Sequence, residues 1–164
     1  MSVSTNKKAL IQRFDRETLY GYLNPGAFLQ PAGVELLNLS GNLLLVPYGE
    51  IRMVSFVREF EAPDPGERRL FTTRPKSPGL WVRMRFRDNE QMDGLLANNL
   101  LLLDPYGFSV TPPDPSSNSQ RIFIPKQALA EFQVLAVVGS PQRRTQPPRV
   151  KPAAREQMGL FEQP

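Results

Sequence analysis

Two pairs of acidic residues could in principle act as a general acid and a general base. Asp15 and Glu17 form one pair, and Asp88 and Glu90 form the other. Both pairs lie in predicted turns, whereas a catalytic carboxyl usually needs burial or a like charge to perturb it. The chain has no histidine and no cysteine, so it lacks the commonest general base, a thiolate nucleophile and the commonest metal ligands. We therefore expect no enzyme activity, no metal and no cofactor.

A second candidate chemistry is recognition of a phosphate backbone. Arg83 and Arg85 alternate with apolar residues on a predicted strand that begins at Trp81. Outward arginines beside an aromatic ring can track phosphates while the ring stacks on a base. The same pattern is also typical of a solvated strand face with the tryptophan in the core, and both interpretations stay open.

The C-terminal segment carries a third signal. Residues 139–164 are rich in Pro, Arg and Gln, which predicts a disordered tail. Near its end stand Gln157, Met158, Leu160 and Phe161, apolar apart from the glutamine, and we expect them to dock on a protein partner. This peptide resembles the one by which bacterial replication and repair proteins bind the β sliding clamp. The alternative is that the tail folds back onto its own domain.

The location of the charge qualifies the basic composition. The net charge is +4, and five basic against two acidic residues after position 138 account for +3 of it. The rest of the chain carries about +1, which is not a strong nucleic-acid footprint. The polar N-terminus has no apolar signal core, and no apolar run reaches membrane-spanning length. A cytoplasmic protein with no membrane contact is the expectation.

An internal repeat predicts the elements that would position these groups. Residues 13–23 return as residues 85–96, each with a glycine, Gly21 or Gly94, inside a predicted strand. A glycine there usually marks a sharp bend or a close approach of another backbone. A repeat of this length predicts two copies of one small domain. The other aligned positions are Arg13–Phe14 with Arg85–Phe86, Gly33 with Gly107, Val46–Pro47 with Ile124–Pro125, and Ile51 with Leu129.

Short strands bounded by Gly and Pro, among them Thr18–Leu23 and Ile51–Val57, predict an all-β fold. We expect two tandem five-stranded small barrels and a disordered C-terminal tail. The second copy has a longer loop at 112–119, and the leucine runs 43–45 and 100–103 should supply core and interface. The predicted units are a first repeat at 7–58, a Pro- and Arg-rich linker at 59–78, a second repeat at 79–138, and the tail at 139–164.

The repeat unit resembles the Sm-like superfamily, and among its members it is most similar to the bacterial protein Hfq. The resemblance rests on the glycine-containing second strand, the turn that follows Val46–Pro47 or Ile124–Pro125, and the last strand after it. It also resembles tandem bacterial proteins of unknown function and SH3-like barrels. The resemblance implies uridine-rich RNA bound at the turn before the last strand, and rings of six or seven units. The turns read Tyr48–Gly49 and Lys126–Gln127 here, which depart from the usual pairs.

We therefore expect a non-catalytic binding protein, with RNA or another single-stranded nucleic acid as ligand. The candidate contacts are Tyr48, Arg83, Arg85, Arg121 and Lys126. The alternative is an adaptor whose C-terminal peptide docks on a partner such as the β sliding clamp. A homo-oligomer, built as a pseudo-ring from tandem units, is a further expectation.

Overall fold

The computed structural model describes residues 5–139, and this part of the chain is all β. This part of the chain contains eleven strands and three short 3-10 turns, and no α-helix occurs within residues 5–139. The strands are β1 Lys7–Arg13, β2 Thr18–Leu23, β3 Leu29–Gln30, β4 Gly33–Asn38, β5 Leu43–Val46, β6 Ile51–Val57, β7 Gly79–Phe86, β8 Gln91–Leu96, β9 Gly107–Thr111, β10 Ser119–Pro125 and β11 Leu129–Val138. The turns are Tyr48–Glu50, Leu100–Leu102 and Lys126–Ala128.

The strands form one open antiparallel sheet in the order β11-β7-β8-β9-β10-β6-β1-β2-β4-β3, and β5 pairs with β4. The first half, β1–β6, and the second half, β7–β11, are joined by pairing of β6 with β10. The all-β prediction is confirmed. The two separate barrels are not, because backbone hydrogen bonds continue from one half into the other.

Two hydrophobic cores lie on either side of this junction. Val54 and Phe56 of β6 belong to the first core, and the neighbouring Met53 belongs to the second. From β10, Phe123 enters the first core while Ile122 enters the second. Since side chains alternate between the faces of a strand, each half contributes one buried residue to the core of the other, Met53 from the first half and Phe123 from the second. All seven residues of β6 are buried as a result.

The two mid-strand glycines are required by close packing. A Cβ on Gly94 would lie 2.8 Å from Cβ of Val110, and one on Gly21 would overlap the Leu37 carbonyl oxygen. Gly21 pairs with Ala9 and Gly94 with Val82, so both hold the same place in their halves. The sequence-based expectation of close backbone approach at these glycines is therefore met.

The hairpin turns correct one aligned pair. The Arg13 N–H donates to the Glu17 carbonyl oxygen at 2.9 Å, and the Phe86 N–H donates to that of Glu90 at 2.8 Å. Arg13 therefore corresponds to Phe86, and the alignment of Arg13–Phe14 with Arg85–Phe86 was wrong by one residue. The alignment matched the two identical Arg-Phe pairs, whereas the backbone hydrogen bonds of the turns determine which residues correspond in the two halves.

The leucine runs are also placed differently from expectation. Leu101 is 91% exposed, and Leu100, Leu102 and Leu103 are exposed too, so this run does not form core. On β5, Leu43 and Leu45 are 66% and 53% exposed. Within residues 5–139, no helix has the length and apolar character needed to cross a membrane.

Candidate functional site

Two of the residues predicted to contact nucleic acid are already paired within the fold. Arg83 donates from Nε and Nη2 to the two carboxylate oxygens of Asp93, at 2.7 and 3.0 Å. These hydrogen bonds raise the pKa of Arg83 above its ordinary value, so the guanidinium keeps its charge. Arg85 donates to Glu131 at 3.3 Å and to Asn89 at 3.2 Å. A phosphate would have to compete with these partners for either arginine.

Asp93 is the centre of a buried network that fixes the connecting segment, which we define as residues 58–78. Besides the arginine, its fully buried carboxylate accepts from the Phe71 N–H at 3.0 Å and from Trp81 Nε1 at 3.2 Å. The Asp93 N–H donates to the Arg69 carbonyl oxygen at 2.7 Å. Burial of a carboxylate is costly unless donors replace its water, and here they do. The predicted linker is therefore a strap held against β8.

Aromatic contacts attach the same segment to both halves of the sheet. Phe60 meets Tyr20 and Tyr22 edge-on, with ring centroids 6.4 and 5.5 Å apart. Phe71 meets Trp81 edge-on at 6.0 Å. Edge-to-face aromatic pairs add about 0.5–1.5 kcal/mol to area burial. The connecting segment thus has one aromatic anchor on each half.

A basic groove lies between the connecting segment and the loop at 112–120. It encloses about 650 Å³, and its apolar walls include Phe71, Leu95 and Pro112. Its four cationic side chains are all exposed: Arg58, Arg68, Arg74 and Lys76. None of the four forms a salt bridge with another described residue. The groove therefore presents positive charge that is not neutralised by side chains within residues 5–139.

Asp114 is the one acidic residue among residues 5–139 that lines the basic groove. It accepts from Ser116 Oγ at 2.7 Å and from the Ser116 N–H at 3.0 Å. These bonds lower the pKa of Asp114, with a further contribution from the charge of Arg68. The carboxylate is therefore held in its own loop, and the excess of cations over acids in the groove remains.

The turns that contain Tyr48 and Lys126 meet in space. Tyr48 is 6% exposed, its ring stacks on Tyr106 at 5.0 Å, and its hydroxyl donates to the Gln30 carbonyl oxygen at 2.5 Å. Burial, then the nearby Tyr106 and Asp104, raise the pKa of Tyr48 to about 12. To stack on a base, this ring would have to leave the core. The exposed Lys126 donates its N–H to the Tyr106 carbonyl oxygen at 3.0 Å and keeps its side chain outside.

Arg121 is the remaining predicted contact, and it adjoins the basic groove. It is exposed on β10 and lines a cavity of about 520 Å³ together with the exposed Leu101. Leu95 and Thr111 line both this cavity and the basic groove. The structure therefore places Arg121 next to the groove, and Lys126 at the opposite end of the same strand.

The basic groove was not recognised from the sequence, because it combines a linker with a loop about 40 residues further on. Two signals pointed toward it: five basic residues within 58–76, four of which line the groove, and the longer loop of the second half. The connecting segment reaches this loop because the buried Asp93 holds it against β8. No local sequence pattern indicates that Asp93 is buried. Within residues 5–139, no group of three or more acidic residues has the geometry to hold a metal ion.

Comparison with known proteins places the chain in a family. Residues 5–136 match the family of unknown function DUF6982. The chain belongs to this family. No curated protein and no solved structure matches it. The DUF6982 match begins before β1 and ends within β11, so it includes the whole basic groove. The peptide Gln157–Phe161 lies beyond the match and outside the described residues.

Proposed function

We propose that this chain is a non-catalytic protein that binds single-stranded nucleic acid, RNA in the first place. The observation that carries the proposal is the basic groove, with four exposed cations, one carboxylate and apolar walls. Closely spaced cations bind a phosphate backbone and release its counterions. Bases that are not paired need apolar or aromatic surface to replace stacking on their neighbours. The groove offers both kinds of surface side by side.

The size of the groove favours a short single strand. Its volume of about 650 Å³ lies within the ~300–1,000 Å³ of ligand pockets, which suits a segment of a few nucleotides. From the predicted set, Arg121 extends the groove along β10, and Lys126 is exposed at the end of that strand. Arg83 supports this surface through Asp93, which accepts from the Phe71 N–H of the groove wall. Arg85 and Tyr48 have their partners away from the groove.

The architecture we propose for this function is a tandem of Sm-like small barrels that share one sheet. Support comes from matched geometry: Arg16 and Asn89 have φ of 71° and 70°, and Pro47 and Pro125 each precede a 3-10 turn. The resemblance to Sm-like proteins, which bind RNA, adds to the proposal. The departure is that ligand contacts fall largely on the connecting segment and not on the turns.

Binding is tested with a fluorescent single-stranded RNA and the matching DNA, by anisotropy at increasing salt. If phosphates are engaged, log Kd should rise linearly with log salt, with a slope of ~0.7 for each phosphate contact on a single strand. The double variant Arg68→Ala/Lys76→Ala should bind more weakly and lose ~1.4 of that slope. Absence of binding at low salt would refute the proposal.

Two matched variants show whether the groove is the site. Arg16→Gln removes an exposed cation of the β1–β2 turn, next to the end of β1 that pairs with Ile51 and opposite to the end near Arg58, and should leave the affinity unchanged. Lys126→Ala tests the turn before the last strand. If Lys126→Ala abolishes binding while the groove double variant does not, the ligand binds at the turn, as the Sm-like resemblance implies, and the groove is the wrong site.

A second candidate function rests on the C-terminal peptide. Gln157, Met158, Leu160 and Phe161 lie beyond the family match in a basic, Pro-rich segment, and their spacing resembles a β sliding clamp-binding peptide. We propose as the alternative that the chain is an adaptor docked through this peptide. Binding of purified clamp to the full chain and to a chain ending at Glu156 tests it. Equal binding by the two chains, or none by either, would refute the docking role.

A further inference from the structure

We propose that the cavity next to the basic groove holds one guanine base of the bound strand. This inference rests on the proposed function, since it assigns a base to a strand whose phosphates lie in the groove. The cavity encloses about 520 Å³, and Leu95 and Thr111 line both the cavity and the groove. A strand that follows the groove can therefore turn one unpaired base into the cavity.

The floor of the cavity is built from three neighbouring strands. Leu95 of β8 lies opposite Thr111 of β9. On the other side of β9, Ile122 of β10 lies opposite Val110. Arg121 comes directly before Ile122 and is therefore beside Thr111. Antiparallel pairing thus brings an apolar, a hydroxyl and a cationic side chain next to one another at this place.

The turn at Leu100–Leu102 forms an apolar wall of the cavity. The Asn99 side chain accepts from the Leu101 N–H at 3.0 Å and caps this turn. Leu101 and Leu102 line the cavity and are 91% and 64% exposed. Neighbouring exposed apolar side chains favour a ligand with an apolar face. A base that has left its stack offers such a face.

Two charged side chains line the cavity, and no ion pair joins them. Asp104 and Arg121 are the charged lining residues in the described part of the chain. Neither forms a salt bridge with another residue of 5–139. The Ser109 hydroxyl donates to Oδ2 of Asp104 at 2.8 Å, which orients the carboxylate. The cavity therefore offers an anionic acceptor and a cationic donor that are not neutralised by each other.

Guanine is the base whose edges fit this pair of side chains. Its N1–H and N2–H groups are adjacent donors that one carboxylate can accept together, and its O6 and N7 atoms are adjacent acceptors that fit an arginine fork. Adenine has an acceptor, N1, where the carboxylate needs a donor, and cytosine and uracil lack N7. We therefore expect Asp104 to accept from the Watson–Crick edge of guanine and Arg121 to donate to O6 and N7.

The first half of the chain lacks this pair of charges. In the alignment of the two halves, Gln30 stands at the place of Asp104 and Leu43 at the place of Arg121. The Gln30 side-chain amide donates to the Ala27 carbonyl oxygen at 2.7 Å. With neither a carboxylate nor a cation at these positions, the first half has no equivalent guanine site.

The test compares short RNA strands that differ at one base. The full chain is titrated, by fluorescence anisotropy, with oligouridine strands that carry one central guanosine, adenosine, inosine or 7-deazaguanosine. The guanosine strand should bind about tenfold more tightly than the adenosine strand, because one bidentate contact to a base discriminates by roughly 5- to 150-fold. Inosine lacks the N2 amino group and 7-deazaguanosine lacks N7, so each should lose part of this preference.

Variants of the two charged residues separate the two edges of the base. Asp104→Asn replaces a carboxylate oxygen by an N–H donor, so the preference for guanosine over adenosine should disappear. Arg121→Gln should abolish the difference between guanosine and 7-deazaguanosine. Glu35→Gln changes a half-buried acid of β4 in the first half and should leave the preference unchanged. Fluorescence of Trp81 should show that each variant is folded.

The outcomes distinguish this inference from the proposed function. The groove variant Arg68→Ala/Lys76→Ala should weaken all four strands alike and keep the preference for guanosine. Salt-dependent binding without a preference for guanosine would overturn the guanine site and leave the proposed function intact. A preference that survives Asp104→Asn would overturn the guanine site as well. Failure of every strand to bind at low salt would refute both proposals.

Discussion

Replacing Asp93 with alanine should release the connecting segment and destabilise the whole second half. The substitution removes the acceptor of Arg83, of Trp81 Nε1 and of the Phe71 N–H. Breaking a buried ion pair by deleting one partner costs about 3–5 kcal/mol. The Arg83 side chain is 33% exposed, so water recovers part of that loss, and we reduce it to about 2 kcal/mol. The two remaining N–H groups add about 1 kcal/mol when unpaired.

The expected loss for Asp93→Ala is therefore about 3 kcal/mol of unfolding free energy. It is measured by guanidinium unfolding followed by fluorescence, for which Trp81 is the only tryptophan of the chain. The native emission should also move to longer wavelength as the ring loses its partner. Glu61→Ala changes an exposed acid of the same segment and should stay within about 0.5 kcal/mol. A loss below about 1 kcal/mol with unchanged emission would refute the structural role of Asp93.

Two further predictions concern the first-half turn and a glycine of the second half. Folding raises the pKa of Tyr48 from its ordinary value of 10.0 to about 12. Keeping this phenol neutral therefore contributes about 2.7 kcal/mol to the free energy of unfolding. That contribution is complete below pH 10 and is lost as the pH rises through about 12. Tyr48→Phe should lower the free energy of unfolding at neutral pH by about 1 kcal/mol, because the hydrogen bond to Gln30 is lost. In urea unfolding at rising pH, the variant should lose less stability above pH 10 than the wild type does. An equal loss in the two proteins would refute the raised pKa of Tyr48. Gly107→Ala places a Cβ against the Ile124 carbonyl oxygen and should lower the free energy of unfolding by about 1–3 kcal/mol or more. In Gly26→Ala the added Cβ would lie 3.6 Å from its nearest neighbour, so the same urea measurement should show almost no change.

Local patterns in the sequence were sufficient to predict most strands. The strands Ile51–Val57 and Thr18–Leu23 were predicted with the bounds that the structure has, because alternation, glycine and proline act within a few residues. The alternation of Arg83 and Arg85 with buried neighbours on β7 is also present. What the pattern left out was the partner of each arginine, since Asp93 and Glu131 lie on different strands.

The continuous sheet was not predictable from the repeat. Two copies of a unit can stand apart or share a sheet, and the repeat pattern is the same in both cases. The difference depends on whether the edge strand of one copy finds the last strand of the other. Here Phe123 and Met53 cross between the cores, and neither residue differs in type from an ordinary core residue of its own half.

The two halves of the sheet would not be equivalent as ligand sites. Ser119 and Gln120 of β10 line the basic groove, together with the loop that precedes them. The corresponding strand β5 is preceded only by the short turn at Ser40–Gly41, so the first half has no matching loop. The chain should therefore carry one groove and not one per half. Titration of the protein with a short labelled oligonucleotide should saturate at one equivalent per chain, and saturation at two would place the site on elements that both halves share.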